Sequence, residues 1–366
     1  MTFGFLVNNS SGVPVMSPDT PGGSVYLQTI VQQPFTTSTY NFPRVPDGSY
    51  LHVVQIGPGG HYFVVGTSNG QATLTVTNYN KTYPTSTSPT TLLVFATYTV
   101  EVDTTGYGIS VINNSGQRLV SGVYPTPQFV RKLPQSAFNL VSNGNCYQPN
   151  NYAWYQAGIT IPAVSSGQAR YIMMNLPGGG DDTWYELDLA YIEPSYPGDR
   201  VIVMNIFSTV TPKLPELFVF TLSASSAGSD TFGLRIFDSS GNITFDSGRQ
   251  NMVISQVYSG SGYPLQINTI QTYANAFVDA NPVIGMPQFN QERIIRTAPN
   301  SGQSYDDYYF GASRRVGTTL QTQLFWTQRF YEDFAGPTQS TIFNNGRSNS
   351  LFVQSLPGSL YGASSL

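Results

Sequence analysis

The chain has 366 residues and a formal net charge of −4, and only 10% of its residues are charged, against about 25% in an ordinary soluble protein. So weak a charge excludes a strongly basic nucleic-acid binder and an acidic solvating tail, and it gives no general adhesion to a polyanion. Hydrophobic residues at 40%, with 35 Gly, 25 Pro, 24 Tyr and 22 Phe, predict a folded all-β protein, because aromatic and β-branched residues fit pleated sheets and Gly and Pro fit turns.

In chain order the first element is Phe3-Gly4-Phe5-Leu6-Val7-Asn8-Asn9-Ser10-Ser11-Gly12. It returns as Tyr107-Gly108-Ile109-Ser110-Val111-Ile112-Asn113-Asn114-Ser115-Gly116, and again as Phe232-Gly233-Leu234-Arg235-Ile236-Phe237-Asp238-Ser239-Ser240-Gly241. The offsets are 104 residues, from position 3 to 107, and 125 residues, from 107 to 232. Alternating apolar positions have the period of a half-buried strand. An Asx side chain then bonds its own backbone and Gly supplies a positive φ, which makes a turn. A second strand follows at Val15-Met16, Leu119-Val120 and Thr244-Phe245. Each segment therefore reads as a β-hairpin. Phe3, Gly4 and Gly12, Tyr107, Gly108 and Gly116, and Phe232, Gly233 and Gly241 are its structural positions. The Gly after the aromatic marks a bulge or a close backbone approach.

Short strands fill the intervals. Residues 50–55, 62–65 and 72–78 precede the apolar run Leu92-Leu93-Val94-Phe95. Residues 171–176, 184–191 and 201–207 precede Leu217-Phe218-Val219-Phe220. Leu92 and Leu217 each lie 15 residues before the next motif aromatic. In the third interval, residues 252–257, 308–312 and 320–327 are strands, and Gln323-Leu324-Phe325-Trp326 is the matching closing run. Pro58-Gly59-Gly60 and Pro177-Gly178-Gly179-Gly180 read as hairpin turns, and 272–279 as a short turn of helix. The fold class is all-β, with tandem β-sandwich modules at 1–98, 99–225 and 226–334 built from an internal repeat. The Ser/Ala/Gly stretch 223–229 is a linker. Residues 335–366 form an extended C-terminal arm, in which Phe343, Leu351, Phe352, Val353, Leu360 and Tyr361 are apolar anchors on a polar backbone. Such a strap is expected to cross to another subunit and order on binding, which favours a homo-oligomer, a trimer first of all.

The residues that carry chemistry are few. His52 and His61 are the only imidazoles and no Gly-x-Ser-x-Gly is present, so no catalytic residue is assigned. Cys146 is the single cysteine; it excludes an intrachain disulfide and reads as a lone thiol. No Cys/His pair has zinc spacing, and neither metal nor cofactor is assigned. Three acidic pairs are flanked by aromatics: Asp181-Asp182, Asp306-Asp307 and Glu332-Asp333. A polysaccharide depolymerase would use paired carboxylates, and Ca²⁺ would take the same oxygens. Against both, adjacent strand residues point to opposite faces and adjacent loop acids face solvent. Trp184, Tyr185, Tyr308 and Tyr309 would form an aromatic platform for a receptor sugar, although packing is the ordinary role of such rings. No apolar run has the ~18–20 residues of a membrane span. Residues 1–7 lack the basic flank of a secretion signal. Residues 1–100 carry only Asp19, Arg44, Asp47 and Lys81 as charges, a surface easily covered by partners.

The third copy, with Gly241 and then Phe245-Asp246-Ser247, resembles a segment that recurs in small virion proteins of tailed bacteriophages. The resemblance covers residues 232–247 there. The other copies depart from it, with Met16-Ser17 and Val120-Ser121 in place of Phe-Asp. It implies a tail-tip, baseplate or fibre component and no catalytic residues. The expectation is a structural protein of the virion tail, made in the host cytoplasm and not an enzyme. Its partners would be copies of itself, other tail proteins and a host surface glycan or receptor. A carbohydrate-binding adhesin using exposed Tyr and Trp is the alternative, and a polysaccharide depolymerase the third reading.

Overall fold

The structure is a computed structural model. It describes residues 7–8, 14–16, 25–56, 61–78, 89–98, 109, 111–114, 116, 118–146, 149, 151–164, 169–178, 182–187, 191–192, 198–222, 233–249, 251–252, 254–259, 269–273, 283–285, 292–297, 303–333, 341–342 and 351–355. Among them the regular structure is β-strand throughout, apart from one 3-10 turn at Gln135–Ala137.

Each aromatic-Gly segment forms a separate antiparallel hairpin. Val7–Asn8 pairs with Pro14–Met16, Val111–Ile112 with Arg118–Val120, and Arg235–Phe237 with Ile243–Asp246. Their registers coincide. Val7 faces Met16, Val111 faces Val120 and Ile236 faces Phe245. Across a bulge, the next pairs are Asn8 with Pro14, Ile112 with Arg118 and Phe237 with Ile243. The hairpins also meet in space. Val111, Leu119, Val120, Ile236 and Phe245 share one buried cluster, with Val7 and Leu234 packed against it.

The strand after each hairpin pairs with an apolar central strand, which pairs in turn with a third. The first such inner sheet is Val25–Gln32, Thr90–Thr97 and Tyr50–Ile56. The second is Gln128–Leu133, Glu216–Thr221 and Arg170–Asn175. The third is Ile254–Ser259, Leu351–Ser355 and Val283–Gly285. A bulge interrupts the pairing of the first strand with the central one in all three. The central strand Thr90–Thr97 is buried on both faces, as a continuous apolar run requires. Leu92, Val94 and Ala96 enter the core of the first 98 residues, whereas Leu93 and Phe95 enter the main core with Tyr171, Phe218 and Ile284.

The outer layers complete the sandwiches. Thr37–Pro46, Gln71–Asn78 and His61–Ser68 form a separate sheet over Phe42, Val45, Leu74 and Val76. A nine-stranded outer sheet covers the rest.

Four expectations are corrected here. The boundary at 225 does not separate two cores. Arg170–Asn175 pairs with Val283–Gly285, which joins the second and third inner sheets. Thr183–Leu187 meets Gln303–Val316 at Tyr185 and Ser313, which joins the outer layers. The central strand of the third inner sheet is Leu351–Ser355, while Gln323–Trp326 lies inside the long outer strand Thr319–Asp333. Part of the stretch read as an arm is thus a sheet strand of its own chain; apart from 341–342, the rest of 335–366 lies outside the described residues. The two Gly-rich runs connect different sheets and close no hairpin, because their flanking strands lie in inner and outer layers. Finally, Gln271–Tyr273 is a strand, not the start of a helical turn, held by pairing to Leu320–Thr322; residues 274–279 lie outside the described residues.

Candidate functional site

The aromatic and acidic residues around position 184 do not form a platform. Trp184 is 0% exposed and Tyr185 2%. Strand alternation sends Trp184 into a cluster of Tyr152, Trp154, Phe207, Phe310 and Phe325, where Phe207 and Phe325 stack at 4.3 Å. It sends Tyr185 into the main core, where its hydroxyl donates to the Lys213 carbonyl at 2.6 Å. Neither ring has a free face for a sugar, and the glycan role assigned to them is corrected by that burial. Tyr308 and Tyr309 pair with Gln328 and Trp326 in the outer sheet; their side chains lie outside the described residues. Since Tyr185 pairs with Ser313, Tyr309 sits roughly 13 Å further along that strand at ~3.3 Å per residue. The two aromatic pairs are therefore not brought together.

Asp182 is half-buried and engaged by three side chains. Its carboxylate forms an ion pair with Arg314 and accepts from the Tyr152 hydroxyl and, at 3.2 Å, from Trp184 Nε1. The Arg314 guanidinium lies 4.4 Å over the Trp184 ring, and its Nε donates to Gln321 Oε1 at 2.7 Å. A carboxylate so bonded is a lock between strands and a poor general base. Asp181 and the side chains of Asp306, Asp307, Glu332 and Asp333 lie outside the described residues. Among the described residues no group of three His, Cys, Asp or Glu is placed to hold a metal.

The remaining reactive groups are buried. His52 Nε2 lies 3.1 Å from Thr97 Oγ1, and burial pushes its pKa down to about 3. Burial pushes the Cys146 thiol up to about 12, so the thiolate that nucleophilic attack needs is absent at neutral pH. The His61 side chain lies outside the described residues.

The residues that the fold does bring together are those of the motif. Gly233 has φ +151°, and a Cβ there would stand 2.6 Å from Ser247 Oγ. That hydroxyl accepts from the Leu234 N–H at 2.8 Å. The motif Gly thus makes room for the motif Ser. Asp246 pairs with Arg235 at 3.2 Å and accepts from the Gly248 N–H at 2.9 Å. Ser121 occupies the corresponding place in the second hairpin and accepts from the Val123 N–H at 3.0 Å. The departure from Phe-Asp therefore keeps the same cap on the following turn. Asp238 Oδ1 accepts from the Ser240 and Asn242 N–H groups, each at 2.8 Å. Gly241 and Gly116 take the positive φ of the turn, +82° and +75°. Phe3, Gly4, Gly12, Tyr107, Gly108 and Phe232 lie outside the described residues.

Sequence reasoning missed two polar groupings, one half-buried and one buried. One is Arg314 with Tyr152 and Gln321. The other is Asn205, which accepts from Trp154 Nε1 at 3.0 Å and Gln156 Nε2 at 3.2 Å and donates to Glu186 at 2.7 Å. The available signal was a charged residue inside a strand-patterned run in a chain with few charges. Comparison with protein-family models, with curated proteins and with solved structures finds no match.

Proposed function

We propose that the chain is a structural component of a tailed-bacteriophage virion, at the tail tip, baseplate or a tail fibre. Its work is to pack against neighbouring virion proteins and to help meet the host. The observation that carries this reading is the hairpin hub. The motif that resembles phage virion segments supplies the Gly, Ser and Asp that build the third hairpin, and Val111, Ile236 and Phe245 pack in the hub. The sparse charge of the first 100 residues supports it too, because a nearly neutral surface is covered with little desolvation. We assign no catalysis, in keeping with a neutral buried His52 and a protonated Cys146.

Immunogold labelling of purified particles of the encoding phage tests the reading. Gold is expected at the tail end. Unlabelled particles, with the chain confined to the soluble lysate, would contradict it.

A further inference from the structure

Three parts of this chain are built to one plan around shared cores. The hairpins agree pair for pair, bulge included, and meet in one cluster. The inner sheets agree in strand order, and side chains from all three of them enter the main core. The likeness weakens beyond this strand order: the second and third inner sheets join edge to edge while the first is a separate sheet, and the outer layers differ. The first segment contributes three strands there, the second four and the third five. Repetition is thus strict at the hub and loose at the periphery, as fits a hub whose three parts meet a repeated surface.

We infer that one copy of this chain stands in for a trimer: it sits on a three-fold axis and docks through its hairpins on a partner assembled from three identical subunits. The inference rests on the virion reading above and adds the kind of partner. A closed homotrimer presents the same patch three times around its axis. One body with three like elements engages all three patches, and after the first contact the others form as intramolecular events. The contact positions are marked. In the second and third hairpins the fifth motif residue, Val111 or Ile236, is buried in the hub, and the next residue is exposed. Ile112 is 51% exposed and Phe237 53%, both at the sixth motif position, where the first hairpin has Asn8. Exposed apolar side chains at matching places are anchors for equivalent pockets. A homotrimer of this chain is not needed to make three-fold symmetry, since Leu351–Ser355 completes the third inner sheet within the same chain.

Four measurements test this. The purified full-length chain should scatter light as a single 39.9 kDa species; a stable trimer would overturn the inference. In assembling particles, a photo-crosslinking amino acid at position 112 or 237 should capture the same neighbour. Isotope-standard mass spectrometry should then count one copy of the chain for every three of that neighbour. A one-to-one ratio, or different neighbours at 112 and 237, would overturn the inference and leave the virion reading standing. Absence of the chain from particles would overturn the virion reading itself. Ile112→Ser combined with Phe237→Ser, both at exposed sites, should leave the solution mass unchanged and lower incorporation at least tenfold; unchanged incorporation counts against the docking surface.

Discussion

His52 shows how burial alone sets a residue's chemistry. It lies in the strand Tyr50–Ile56 with its ring out of solvent, and burial pushes its pKa from 6.5 to about 3. The unfolded chain therefore binds a proton between those values that the folded chain refuses. Stability supplied by this group is complete above pH 6.5 and falls as the pH drops towards 3, by about 1.4 kcal/mol per unit. Urea unfolding at pH 7.5 and pH 4.5 should show His52→Gln losing about 2–3 kcal/mol less than the native chain over that interval. Equal losses would mean that the imidazole is not excluded from water. The sequence identified His52 as a strand residue, and the structure places it in Tyr50–Ile56. The same reading failed at Trp184 and Tyr185, because the aromatic-acidic pattern of a sugar site is also that of a core edged by a half-buried ion pair. Only Arg314, 130 residues further along the chain and folded over Trp184, distinguishes them.

At the scale of elements, the hairpins were legible and their long-range partners were not. Alternation, an Asx turn and a positive-φ Gly are local signals, and they place all three hairpins correctly. The closing strand of the third inner sheet was assigned to Gln323–Trp326 because spacing from the motif is a poor guide once loops vary. Leu351-Phe352-Val353 had the better composition, yet its pairing with Ile254–Ser259 spans nearly a hundred residues and leaves no local trace. The hairpin itself offers a sharp test. Gly233→Ala combines a positive φ with a contact on Ser247 Oγ at 2.6 Å, and should destabilise the chain by about 1–3 kcal/mol. Adding Ser247→Ala should relieve the contact and not the backbone strain, so the double variant falls short of the sum of the single ones. Strict additivity would show that Gly233 and Ser247 act independently.

At the scale of the whole molecule, composition settled the all-β class, and motif spacing located the segments. What it could not show is that the second and third segments share two sheets. Edge-to-edge pairing uses backbone N–H and C=O groups, which every residue has, so it leaves little mark in side-chain pattern. One chain builds the third inner sheet by itself, its last described strand, Leu351–Ser355, lying between Ile254–Ser259 and Val283–Gly285. Amide hydrogen exchange on the full-length chain at neutral pH tests this most directly. Peptides covering 351–355 should exchange as slowly as those covering 92–95 and 217–220, because all three occupy central strands with partners on both sides. Exchange within seconds at 351–355, with the other two still protected after hours, would contradict it.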